Sequence, residues 1–156
     1  MIRVLPNVLR NVNELNIPSG DKQGYEILYF GVNLILMFDY KLSFDVELKS
    51  LEDDSGNSTD TIQVMIISRK DVSAWKDDYG GDNDSIIKPH IKMYYSNKGQ
   101  KINDVFKPPV SDAYAFILSN RSSSQNDKQF GTKTVKVFHT HTWQQEIKES
   151  QLRNKL

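Results

Sequence analysis

The chain has 156 residues, the size of one ordinary domain, of which 38% are hydrophobic and 26% charged. This composition excludes a membrane-embedded bundle and a disordered tail. Twenty Lys and Arg balance twenty Asp and Glu, and a net charge of zero argues against nucleic acid as a partner, because phosphate binding needs an excess of basic residues. The absence of cysteine excludes disulfide scaffolds, Cys-ligated zinc and thiol catalysis.

No targeting signal or transmembrane segment is predicted. Residues 1–10 lack the basic segment followed by a continuous apolar core that a secretory signal requires, because Pro6 interrupts them. The longest apolar stretch, residues 32–38, is far shorter than the ~20 residues of a membrane helix. We therefore expect a cytoplasmic chain, and leave open a secreted or luminal one if a signal before Ile2 was removed.

The dominant pattern is an alternation of apolar and polar residues with period two. Residues 40–48 read YKLSFDVEL, which places Leu42, Phe44, Val46 and Leu48 on one face. This alternation predicts an amphipathic antiparallel strand with one buried face. Further strands, separated by polar turn clusters, are predicted at residues 25–30, 32–38, 61–67, 91–95, 113–118 and 132–143. Strands at this spacing are typical of an all-β sandwich or barrel.

Two segments have helical character. Residues 68–76 (SRKDVSAWK) predict a short turn or helix after a strand. Residues 144–156 are helix-prone, but their thin apolar stripe is more typical of a frayed tail or a short docking helix. Since no linker or internal repeat divides the chain, we predict a single domain over residues 1–156, with a core at 17–143 and a tail at 144–156.

One ordered series of motifs goes beyond a generic β-pattern. It consists of an apolar strand at residues 64–67, Trp75, Tyr94-Tyr95, FKPP at 106–109, DAYAFILSN at 112–120, KTVKV at 133–137 and Trp143. The series resembles the GOLD (Golgi dynamics) domain and its prokaryotic β-sandwich relatives. It departs from that pattern at Ala113, Ala115 and Ser119, where a Gly, a Tyr and an Asp are usual. The resemblance implies an antiparallel β-sandwich of jelly-roll or GOLD type, with about seven to nine strands, used for protein–protein contact.

Exposed aromatic and loop residues are the predicted partner-binding site. Trp75 lies beside Tyr79 and an acidic loop, and Arg121, Gln125 and Asn126 belong to a polar segment between strands. An aromatic side chain on a sandwich loop can anchor a protein interface or stack on a sugar. The alternative for Trp75 is structural, with the ring closing the open end of the sandwich.

Two clusters have the residue types of a metal site. His139 and His141 are two residues apart on a predicted strand, so both imidazoles point the same way and could hold one metal ion, with His90 or a carboxylate as third ligand. The alternatives are a pair partly buried among apolar neighbours or facing solvent. Asp82 and Asp84 lie in an acidic loop with two glycines, as in a calcium loop, but the spacing fits no EF-hand. The alternative there is a solvated loop.

Residue patterns for catalysis are weak. The chain contains neither a Gly-x-Ser-x-Gly elbow nor a phosphate-binding glycine-rich loop. We therefore expect no enzyme and no cofactor, and leave calcium and zinc open. The expected function is a non-enzymatic adaptor that binds another protein, with a carbohydrate- or calcium-binding module as alternative. A metal-dependent enzyme centred on His139 and His141 is a third hypothesis, and a homo-oligomer is also left open.

Overall fold

The computed structural model describes residues 2–18, 20, 23–51, 62–77, 87–95, 101–121 and 132–148. Within these residues the chain forms eight strands and one short helix. The strands are β1 (Ile2–Ile17), β2 (Tyr25–Val32), β3 (Phe38–Leu51), β4 (Ile62–Ser68), β5 (Ile91–Tyr95), β6 (Lys101–Phe106), β7 (Asp112–Ser119) and β8 (Lys133–Lys148). A 3₁₀ turn at Arg69–Asp71 leads into the helix α1 (Val72–Asp77), so the helix predicted over residues 68–76 is confirmed.

The strands pair in a nested order. β1 pairs with β8, β2 with β7, β3 with β6 and β4 with β5, all antiparallel. β3 also pairs with β8, and β4 with β7. The result is two four-stranded sheets, β1-β8-β3-β6 and β2-β7-β4-β5, which is the topology of a jelly roll. The predicted all-β antiparallel sandwich of seven to nine strands is therefore confirmed.

The main core lies between the two sheets. The alternation predicted over residues 40–48 is confirmed, because Leu42, Phe44, Val46 and Leu48 are all buried on the inner face of β3. Phe44 meets Phe116 of β7 edge to face, with ring centres 5.0 Å apart. Such paired rings combine a large buried apolar area with a favourable ring geometry, which holds the two sheets in register.

The second sheet is covered on its outer face as well. Residues of β7 alternate between two clusters, with Tyr114 and Phe116 in the inter-sheet core and Ala115 and Ile117 in a cluster on the opposite side. Trp75 of α1 closes that outer cluster and is only 3% exposed. β7 is thus buried on both faces, as its almost uninterrupted apolar sequence requires.

The strand predicted at residues 32–38 is wrong. β2 ends at Val32 and β3 begins at Phe38, with a tight turn between them. Asn33 causes the turn, since its side-chain oxygen accepts the backbone N–H of Ile35 at 3.0 Å and that of Leu36 at 3.4 Å. An Asn side chain that bonds the next backbone amides competes with the strand ladder and reverses the chain.

The predicted tail is also wrong in its first five residues. Residues 144–148 continue β8 and pair with residues 2–6 of β1, and Ile147 is buried. The long strand β1 supplies the main-chain partners that this segment needs, and the sequence analysis did not predict β1 at all. Residues 149–156 lie outside the described part of the chain.

Candidate functional site

A pocket lies between the two sheets along the side where β1 and β2 are the edge strands. Its volume is about 520 Å³, and its walls come from β1, β2, the turn before β3, Tyr40 of β3 and the second half of β8. The size falls within the roughly 300–1,000 Å³ that is usual for small-molecule sites. This inter-sheet pocket is the candidate site that the fold itself forms.

An irregularity in β3 places Tyr40 at the pocket. The register between β3 and β8 shifts between Phe38 and Lys41, and Asp39 has a φ of 54° in the left-handed region. Left-handed backbone is least costly for Gly, Asn and Asp among the amino acids, so an Asp fits this position. Tyr40 lies within the shifted stretch, faces the inner side of β3 and is 5% exposed.

His139 and His141 lie at the centre of the pocket wall. They are two residues apart on β8 and share its inner face with Val135 and Val137, which are fully buried. The prediction that both imidazoles point the same way is therefore confirmed. Nδ1 of His139 and Nε2 of His141 are 3.4 Å apart.

Each histidine uses its other ring nitrogen to contact a neighbouring strand. Nε2 of His139 lies 2.7 Å from Oδ1 of Asn13 on β1, and Nδ1 of His141 contacts the hydroxyl of Tyr40. Because Oδ1 of Asn13 is only an acceptor, Nε2 of His139 carries the hydrogen and Nδ1 of His139 accepts. Nε2 of His141 then donates to Nδ1 of His139, and Nδ1 of His141 accepts from the Tyr40 hydroxyl.

These four groups form a one-way hydrogen-bond chain, running from Tyr40 through His141 and His139 to Asn13. Every ring nitrogen is satisfied in it while both imidazoles are neutral. Burial, and to a smaller extent the nearby His139, together lower the pKa of His141 from 6.5 to about 4. Burial also lowers the pKa of His139 and raises that of Tyr40. The environment therefore favours the uncharged forms of Tyr40, His139 and His141.

The two histidines have the spacing of metal ligands, but the described residues supply no third ligand beside them. Two nitrogens bound to one tetrahedral zinc at about 2.0–2.1 Å lie roughly 3.4 Å apart, which matches their separation. The outward hydrogen bonds to Asn13 and Tyr40 also resemble the outer contacts of metal-bound histidines. Among the described residues, however, no group of three His, Cys, Asp or Glu could hold a metal. Zinc at His139 and His141 therefore stays the open alternative that the sequence left.

The other predicted site residues do not gather at this pocket. Trp75 and Arg121 lie together on the outer side of the second sheet, where the Arg121 guanidinium carbon is 4.4 Å from the centre of the indole ring. Nη1 of Arg121 donates to the backbone oxygen of Trp75 at 3.0 Å. Both residues are buried, 3% and 4% exposed, so neither presents its side chain to a partner in this structure. Trp75 therefore covers an outer sheet face and not an open end of the sandwich.

The remaining predicted residues cannot be placed. Tyr79, Asp82, Asp84, Gln125 and Asn126 all lie outside the described residues. The predicted calcium loop and most of the predicted partner-binding loop therefore stay predictions. His90, the suggested third metal ligand, is exposed and packs near the rings of Phe106 and Tyr114, away from the histidine pair.

The strand β1 presents a second feature that the sequence analysis missed. It has 16 residues and pairs with β8 on one side, and within the described chain no strand pairs with its other side. Its outward-facing side chains include Ile2, Val4, Val8 and Val12, which are 61%, 52%, 54% and 59% exposed. Edge strands of this length normally carry charges or are covered, because their free main-chain groups attract other strands. The β-branched residues Val8 and Val12 were the available local signal.

Comparison with known proteins gives no family. No protein-family model matches the chain, and no curated protein matches it. The described residues form a jelly-roll sandwich and show no feature specific to the GOLD domain, so that resemblance stays a prediction. The part of the chain that the structure describes contains no helix long and apolar enough to cross a membrane.

Proposed function

We propose that this protein is a non-enzymatic binding module that captures an extended segment of another protein along the edge of β1 with which no described strand pairs. The observation that carries the proposal is the length of that edge together with the exposed valines on its outward face. An added strand would satisfy the free main-chain groups of β1, and its alternate side chains would cover the valines. The expectation from the GOLD-like motifs, a sandwich used for protein contact, points the same way.

The edge is also protected against unselective pairing. Pro6 removes one main-chain donor from β1, and Arg3, Arg10 and Glu14 place charges along the strand. Proline and charged residues on an edge strand hinder nonspecific edge-to-edge association. A partner would therefore need apolar side chains opposite the valines and no positive charge facing Arg10, which gives the edge selectivity.

The experiment uses peptides selected from a display library against the wild-type protein. Val8→Lys should abolish binding of the selected peptides, because a lysine on an edge strand hinders pairing with another strand and because the central apolar contact is lost. The matched control is Val105→Lys on β6, the other edge strand of the same sheet, where Val105 is 46% exposed. This control should bind as the wild type does. Hydrogen exchange should also show protection of β1 amides by the peptide.

Two results would overturn the proposal. Equal loss of binding in both lysine variants, or protection of amides outside β1 only, would place the partner site elsewhere. A wild-type protein that is a stable dimer by light scattering, and becomes a monomer on Val8→Lys, would show that the edge of β1 is occupied by a second copy of the chain.

A further inference from the structure

We propose that the inter-sheet pocket binds one uncharged, mainly apolar small molecule that presents a hydrogen-bond acceptor to Asn11 and Asn13. This site is distinct from the outer edge used in the proposed function, because neighbouring residues of β1 face opposite ways. Leu9 lines the pocket, whereas Val8 faces outward. The two residues are nearly equally exposed, 52% and 54%.

The absence of charge in the pocket wall defines the ligand class. Among the described residues, the lining includes no Asp, Glu, Lys or Arg. Its two histidines are held neutral by burial. A charged ligand would lose its hydration here without gaining an ion pair, which is costly. The pocket is therefore matched to an uncharged molecule.

The pocket is apolar at one end and polar at the other. The strand register sets Leu9 opposite His141 and Asn11 opposite His139. Trp143 extends the apolar end, stacked near Tyr40 with ring centres 6.2 Å apart. At the polar end Oδ1 of Asn13 accepts from His139, which turns the amide N–H₂ of Asn13 away from the ring. Asn11 also lines this end, and the amide N–H₂ groups of the two asparagines are the donors that would match a carbonyl, ether or hydroxyl oxygen of the ligand.

The wall of the pocket is preorganised by stacked rings. Phe30 of β2 lies 5.5 Å from the ring centre of Tyr114, 5.3 Å from that of His141 and 6.4 Å from that of Tyr40. Rings held by neighbours on both sheets lose little freedom when a ligand arrives, which favours affinity. A free sugar, with hydroxyls on every side, would leave most of them facing Leu9, Leu28 and Met37 without partners. The pocket therefore suits an apolar body better than a carbohydrate.

The test uses prodan, an uncharged naphthalene ketone whose emission shifts to the blue in an apolar site. Wild-type protein should bind one prodan per chain, saturably, with a blue shift. Leu9→Trp, which fills the pocket with a larger side chain, should weaken binding by about tenfold or more. The matched control Val8→Trp places the same ring on the outer face and should change the affinity by less than about twofold. Asn11→Ala should weaken binding roughly fivefold, the loss of one hydrogen bond.

A second measurement locates the probe. The chain has two tryptophans, so Trp75→Phe leaves Trp143 as the only one, and bound prodan should quench its emission by energy transfer. The proposal is overturned if folded wild-type protein shows no saturable prodan binding, or if Leu9→Trp and Val8→Trp bind equally. It is also overturned if the anionic toluidinonaphthalene sulfonate binds as tightly as prodan, or if a large excess of glucose displaces prodan. Neither loss nor retention of peptide binding at the β1 edge bears on these outcomes.

Discussion

Acid should weaken the fold through His141. Its pKa is about 4 in the folded protein against 6.5 for an unperturbed histidine, because burial and the neighbouring His139 disfavour its charged form. The unfolded chain therefore binds this proton at a higher pH than the folded chain does. The contribution of neutral His141 is fully present above pH 6.5 and is lost as the pH falls towards about 4. The resulting loss in free energy of unfolding is about 3 kcal/mol once His141 is fully protonated in both states, and roughly 2.5 kcal/mol at about pH 4.5.

The measurement is urea denaturation of the wild type and of the double variant Tyr40→Phe/His141→Phe between pH 7 and about pH 4.5, with EDTA present. Carboxylates contribute equally to both proteins, so the wild type should lose about 2–2.5 kcal/mol more free energy of unfolding than the variant. His90→Gln, at an exposed histidine, is the matched control and should follow the wild type. Parallel curves for wild type and double variant would refute the reasoning. So would His141 ring resonances that titrate near pH 6.5 in the folded protein, a measurement that does not depend on the variant.

Two further predictions concern residues that the sequence analysis assigned to binding sites. Arg121→Met should lower the free energy of unfolding by about 2–3 kcal/mol, because it removes the buried donor to Trp75 and the cation over the indole ring. Lys136→Met, at a partly exposed cation 5.1 Å from the centre of the Phe138 ring, should cost less than about 1 kcal/mol. A cost below about 0.5 kcal/mol for Arg121→Met would show that the pair is not structural. Zinc should leave the melting temperature unchanged at neutral pH, since the hydrogen-bond chain already satisfies His139 and His141. A rise of several degrees that His139→Gln abolishes would instead establish a metal site.

The strands that the sequence predicted are those whose own pattern specifies them. Residues 40–48 alternate strictly, and residues 113–118 are apolar because both faces of β7 are buried. The start of β1 lacks such a pattern, because as an edge strand it exposes Ile2 and Val4 on one face while Pro6 interrupts the strand signal. Its strand character comes from β8, which lies about 130 residues away in the sequence, and a local reading contains no information on that partner.

In the candidate site, too, the sequence predicted only what a local pattern specifies. The spacing of His139 and His141 was enough to predict a shared face, since a strand has period two. Their neighbours Asn13 and Tyr40 come from β1 and β3, and only the tertiary register brings them to the pair. The sequence left Trp75 open between an exposed anchor and a structural ring, because nothing local shows that α1 packs on the outer face of the second sheet, with Arg121 against the indole.

The pairing of the first strand with the last has a consequence for synthesis of the chain. β8 supplies the only described strand neighbour of β1 and also one neighbour of β3, yet it is completed about 130 residues after β1. At about 5–20 residues per second a ribosome needs roughly 7–26 s to synthesise the residues between the end of β1 and the end of β8. Throughout this time β1 lacks β8, its one described strand partner, so that both of its edges are unpaired. Nascent copies of this chain should therefore depend on holding chaperones until the last strand emerges.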